Sequence, residues 1–172
     1  EIEVYSPGTY VELFQDGESL GKKRLEYAKA KYTITYKKGT LIAVSYDEAG
    51  NKTDSCTLVS AGDNTKLTLR PDKTEMKADN EDMVFVDVSL TDNMGIVKNL
   101  EDQNVTVQVT GAAKLAGIGS ANPITEESYL GDTVSTWNGR MGIWIRSNGH
   151  KGIAYIQVKT DTLEDTLKIK VF

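Results

Sequence analysis

Few residues in this chain have the type and spacing that chemistry requires. Two acidic pairs, Glu126-Glu127 and Glu164-Asp165, invite comparison with the carboxylates of a retaining glycosidase. That reaction needs two carboxyl groups about 5 Å apart across a sugar bond, one of them with a raised pKa. Neighbouring residues of a strand point to opposite faces and neighbouring acids of a polar loop are solvated, so neither pair is read as catalytic. Asp79-Asn80-Glu81-Asp82 offers hard oxygen ligands within one turn but lacks the spacing of an EF-hand loop, and is read as solvated. A single histidine, His150, argues against a transition-metal site and against a Ser-His-Asp arrangement. The lone Cys56 has no internal disulfide partner and reads as a small buried hydrophobe in a strand. The assignment is therefore no catalytic residue, no metal ligand and no cofactor. The aromatic residues matter because sugar binding by β-sandwiches depends on exposed rings that stack on the apolar face of a pyranose. Trp137 is the candidate, with Asn138 and Arg140 beside it to hydrogen-bond hydroxyls; its alternative role is to pin a long loop onto the sandwich. Trp144, between Ile143 and Ile145, reads as core or interdomain packing.

These candidates must be positioned by strands. Val11 to Gly21 spells a β-hairpin around Asp16-Gly17, a pair that accepts the positive φ at both central positions of the tight turn. That loop places Leu13 across from Leu20 and Val11 across from the stem of Lys22, giving the ribbon one apolar face. Ile2–Tyr5, Tyr32–Tyr36, Leu41–Tyr46 and Thr53–Val59 alternate with period two, so about six strands are expected in the first sixty residues. Ser60-Ala61-Gly62-Asp63-Asn64 marks a boundary between domains at 1–61 and 62–172. Beyond it, strands are expected at 66–69, 84–89, 104–109, 114–118, 141–146, 153–159 and 167–171. Gly119 to Gly139 shows little periodicity and is expected as a long loop, with one helical turn at Asn122-Pro123. The fold class is all-β: two immunoglobulin-like β-sandwich domains in tandem.

Composition sets further bounds. No apolar run approaches the roughly 20 residues of a membrane helix, so no membrane insertion is expected. The net charge of −5 leaves Lys22-Lys23-Arg24 as the only basic cluster, too short to track a nucleic-acid backbone. The chain opens on Glu1, as a processed product or a piece of a longer protein would.

The hairpin, together with Gly39-Thr40-Leu41-Ile42-Ala43-Val44-Ser45-Tyr46-Asp47 and Gly50, resembles the small accessory domain that follows the catalytic barrel in many bacterial β-galactosidases of glycoside hydrolase family 2. The usual pattern has Asn-Gly where this chain has Asp16-Gly17, a change neutral for that backbone. Lys66 to Thr74, Met76 to Asp79, Gly111, Ala113 to Gly119, Asn122-Pro123, Glu127-Ser128 and Trp137 to Arg140 follow the order of the invasin-like immunoglobulin domain at the carboxyl end of the same enzymes. The resemblance implies a non-catalytic accessory region whose partner is the catalytic barrel of its parent polypeptide. In that family two glutamates on the (β/α)8 barrel act as acid/base and nucleophile, and neither has a counterpart here. Alternative readings are an autonomous carbohydrate-binding module, with glycan as partner, and a stalk of a bacterial surface adhesin. A secreted or periplasmic location is favoured over the cytoplasm.

Overall fold

A computed structural model describes residues 1–172. Its regular elements are fifteen strands, and the chain divides into two compact units, Glu1–Ser60 and Ala61–Phe172. The first unit holds β1 (Ile2–Tyr5), β2 (Tyr10–Gln15), β3 (Glu18–Arg24), β4 (Lys29–Tyr32), β5 (Thr40–Tyr46) and β6 (Lys52–Val59). Strands β3-β2-β5-β6 form one sheet, and β1 pairs antiparallel with β4 in a second. Alternation decides which side is inward: Val11, Leu13 and Gln15 are buried, while Tyr10, Glu12 and Phe14 face the other way. Val11 and Leu13 share a small core with Ala30 and Tyr32 of the two-stranded sheet. The Tyr32 hydroxyl donates to Val11 O at 2.9 Å, with Gly21 O at 3.1 Å, so burying this ring leaves its polar end satisfied.

The hairpin turns at Asp16-Gly17, where φ is 51° and 88°, the mirror-image geometry expected of these residues. Its register differs from the expectation. Gln15 faces Glu18 and Phe14 faces Ser19, but a bulge then shifts the pairing so that Glu12 meets Lys22 and Val11 meets Lys23. Gly21 adopts φ 105° within the bulge, a conformation that a side chain would resist. Strand β3 is exposed along its whole length, Leu20 included, so the apolar face belongs to β2 and not to the ribbon. Two other expectations are corrected here. The strand near residue 32 is Lys29–Tyr32, because β1 pairs there, and the alternating stretch beyond Tyr32 forms no strand. Cys56 is exposed: it lies on β6, an edge strand with every residue accessible.

The second unit is a sandwich of two sheets. One has the order β12 (Thr133–Ser135), β10 (Asn104–Gly111), β14 (Gly152–Lys159), β15 (Glu164–Val171) and β8 (Glu75–Met76). The other has the order β11 (Ala113–Gly119), β13 (Arg140–Ser147), β9 (Met83–Thr91) and β7 (Lys66–Pro71). Period-two alternation turns Val84, Val86, Val88 and Leu90 of β9 inward with Met141, Ile143 and Ile145 of β13, to meet Val105, Ile156 and Ile169 from the facing sheet. Pro71 is the last residue of β7, an edge strand of its sheet, where a missing N–H is tolerated, and the Asp72 amide still donates to Phe85 O at 2.9 Å. The short strands β8 and β12 were not expected. Strand β8 adds to β15 in parallel, and β12 caps the edge of β10 from within the region expected as featureless loop. Asn122-Pro123 forms a turn that does not extend into a helix, with Asn122 Oδ1 accepting from Ile124 N at 3.1 Å.

Candidate functional site

Trp137, Asn138 and Arg140 occupy one tight turn leading into β13. Trp137 N donates to Arg140 O at 2.8 Å and Arg140 N to Trp137 O at 3.1 Å. Asn138 and Gly139 have φ of 52° and 70°, so Asn-Gly here is a second mirror-image turn of the Asp16-Gly17 kind. The turn is held from behind. Asp102 Oδ1 accepts from Gly139 N at 2.9 Å and from Thr136 Oγ1 at 3.0 Å, while Leu90 N donates to Gly139 O at 2.8 Å. A Cβ on Gly139 would stand 2.6 Å from Lys98 O, so that position must be glycine. Trp137 is half-buried and Asn138 is exposed. The Arg140 guanidinium reaches across the sheet to Asp87 Oδ2 at 3.1 Å. The three residues are thus brought together, with Arg140 already engaged by a carboxylate.

Neighbouring acids are structural acceptors. Asp92, 5% exposed, takes Gly62 N at 2.7 Å on one oxygen, and Met94 N and Ile96 N, each at 2.8 Å, on the other. The Gly62 amide and then the loop amides hold its carboxyl below the usual range. The Lys98 ammonium, 2.8 Å away, does the same to Glu101.

One member of each acidic pair is engaged by its neighbours. Glu127 accepts from Ser135 N and from Thr125 Oγ1, each at 2.8 Å, and the Ser135 amide lowers its pKa, the opposite of what a catalytic acid requires. Glu164 is taken up by Gln157 at 2.5 Å and Lys159 at 3.4 Å. In the 79–82 turn, Asp79 accepts from the amides of Glu81 and Asp82, and Asp82 binds Lys73 together with the Lys77 amide. Asp79 Oδ1 and both oxygens of Asp82 are therefore engaged within the turn and by its flanking lysines. A cavity of about 220 Å³ opens on the outer face of the five-stranded sheet between Thr106, Gln108, Asp132, Gln157 and Lys159, but Glu164 already engages the last two.

Trp144 lies outside the core, the core being one of its two expected placements. It lies on the outer face of the β11-β13-β9-β7 sheet, 41% exposed, against Phe85 at a centroid distance of 5.1 Å and an interplanar angle of 53°. Its apolar neighbours Ile143 and Ile145 suggested a buried strand, but in a two-sheet sandwich they are inward residues and Trp144 is the outward one between them.

Two β-sandwich units in tandem, in which Asp92, Asp102 and Glu127 accept from backbone amides and Glu101 pairs with Lys98, define the class of protein. The comparisons give that class a family. Residues 67–167, more than half the chain, match Glycoside hydrolase family 2 C-terminal domain 5, and the chain belongs to that family. Residues 1–54 match a domain of unknown function, DUF4982. Beta-galactosidase BoGH2A of Bacteroides ovatus is 26% identical over 165 residues, which are 95% of this chain and 19% of that protein. A solved glycosyl hydrolase family 2 member from Bacteroides cellulosilyticus superposes with a TM-score of 0.94 at 33% identity, covering 99% of this chain and 22% of that one. A beta-glycosidase from Bacteroides vulgatus, 23% identical with a TM-score of 0.85, shares the fold over 98% of this chain and 22% of its own length. The chain therefore spans about a fifth of the length of these relatives, and its second unit falls in the C-terminal domain family that the 67–167 match defines.

Proposed function

We propose that this chain serves a family 2 glycosidase acting on β-galactosides, as the accessory region that packs against and steadies the catalytic barrel of the same polypeptide. The observation that carries the reading is the continuous match of both units, in order, to a small share of a β-galactosidase. Residue chemistry supports a non-catalytic part: Glu127 has its pKa lowered by a backbone amide, and Glu164 is bound by Gln157 and Lys159. The hydrolytic carboxylates then belong to the barrel, and the sandwiches contribute stability and placement. The test compares the parent protein with the parent truncated just before Glu1, each assayed on a panel of aryl glycosides that includes an aryl β-galactoside. The expected result is β-galactoside cleavage by the parent and a lower thermal midpoint or lower activity after truncation. A parent that cleaves none of the panel overturns the reading.

A further inference from the structure

The outer face of the β11-β13-β9-β7 sheet carries a feature that structural support does not need. Glycines form its floor: Gly119 and Gly142 are direct partners on adjacent strands, and Gly117 pairs with Trp144. A Cβ on Gly142 would stand 2.6 Å from Phe85 Cε2 and 3.3 Å from Trp144 Cη2, and one on Gly119 would stand 2.7 Å from Tyr129 Cδ1. The missing side chains therefore leave room for Phe85, Trp144 and Tyr129 to sit close over the sheet. All three remain accessible, with Phe85 36%, Trp144 41% and Tyr129 58% exposed. Phe85 and Trp144 stand on paired strands with centroids 5.1 Å apart and planes tilted by 53°, so exposed ring surface is clustered on one face where it can meet the C–H face of a pyranose.

Charge narrows the ligand. Arg146, two residues along β13 from Trp144 and so on the same face, is the direct partner of Lys114 on β11. Both are exposed and neither forms an ion pair, in a protein whose net charge is −5. Like charges facing each other across two strands destabilise a sheet, and an anion placed between them reverses the sign of that term. We propose that this face is a binding site for an acidic saccharide, with a pyranose ring stacked on Trp144 beside Phe85 and its carboxylate received by Arg146 and Lys114. The choice of a sugar rests on the glycosidase reading above; the platform and its charge do not.

The 172-residue chain is titrated with trigalacturonic acid and with a hyaluronan tetrasaccharide, with neutral galactotriose as the comparison, following tryptophan fluorescence and backbone amide shifts. Saturable millimolar binding of an acidic probe is expected, with amide shifts on β9 and β13 and affinity at least fivefold above galactotriose. Trp144→Ala is expected to weaken binding tenfold or more, and Trp144→Tyr to keep part of it. The double variant Arg146→Gln with Lys114→Gln is expected to remove the preference for the acidic probe and the salt dependence, while Trp137→Phe leaves binding unchanged. The proposal is overturned if neither acidic probe binds at 20 mM, if folded Trp144→Ala binds as tightly as the parent sequence, or if the double variant keeps the preference. Sugar silence together with a tight complex with the separately expressed barrel, broken by Trp144→Ala, would make the face a protein contact and also overturn it. Every readout is binding to this chain, so a parent without β-galactosidase activity would sink the proposed function and leave this result standing.

Discussion

Gly139 shows how much a single residue can fix. Its φ of 70° belongs to the left-handed region, and its amide and carbonyl are both bonded, to Asp102 and Leu90. A methyl group would meet Lys98 O at 2.6 Å, backbone that has no rotamer by which to withdraw. Gly139→Ala is expected to destabilise the second unit by about 2 kcal/mol, combining left-handed strain with that approach, as read from the urea midpoint. A change below about 0.5 kcal/mol would show that the turn relaxes. Glu3 offers a residue-scale test of charge. Its carboxylate accepts from Lys31 at 2.8 Å and from the Tyr5 hydroxyl, and these bonds, Lys31 first, lower its pKa from 4.5 to about 2. Because the folded value lies below the unfolded one, the contribution is complete above pH 4.5 and is lost as pH falls from there through about 2. Carboxyl-carbon NMR of Glu3 should therefore show a midpoint near the lower value; a midpoint at or above 4 would mean the Lys31 contact does not persist in solution.

At the scale of elements, the turn between β3 and β4 is the least expected piece of the first unit. Glu26 and Lys29 exchange both backbone hydrogen bonds, and between them Tyr27 and Ala28 hold φ of 51° and 60°. Neither residue favours that region, and Tyr27 is fully exposed, so its ring contributes no packing to offset the strain. Tyr27→Asn with Ala28→Gly is expected to stabilise the unit by about 1 kcal/mol, the relief of strain exceeding the added chain entropy of glycine. An unchanged or lower midpoint in urea would show that the native pair makes a contact worth the strain. The same turn explains why the strand after it was misplaced. Asp16-Gly17 announces a hairpin because its residues match its backbone, whereas Tyr27-Ala28 do not, so the expected strand moved to the conspicuous alternation at 32–36. Strands β9, β13 and β14 are legible because each holds a run that alternates between core and solvent, at 83–88, 143–147 and 153–159. Strands β8 and β12, of two and three residues, are too short for any period to show. The outward rings are hard to see in sequence for a related reason. Trp144 stands between Ile143 and Ile145, but a strand's neighbours face the other way, and the residues that define its surroundings are Phe85, Gly117 and Gly142 on the same sheet.

At the scale of the molecule, each unit carries its own core, and the two are very unequal. The first has four fully inward residues, Val11, Leu13, Ala30 and Tyr32, with an edge strand exposed on both faces. The second packs twenty buried residues between two sheets, including Ile143, Ile156 and Ile169 at no measurable exposure. Burial on that scale is what lets a domain offset its chain entropy, so the second unit should fold alone as residues 61–172. Ile143→Ala removes inward atoms from the central strand of one sheet and is expected to cost 61–172 about 3 to 4 kcal/mol. In the whole chain, the same substitution should lower the transition reported by second-unit amides and leave that of first-unit amides in place, because the two cores share no residue. Residue-resolved NMR through a urea titration separates the two. A matching drop in both midpoints would instead reveal that the units unfold as one cooperative body, and that the small first unit draws its stability from the larger one.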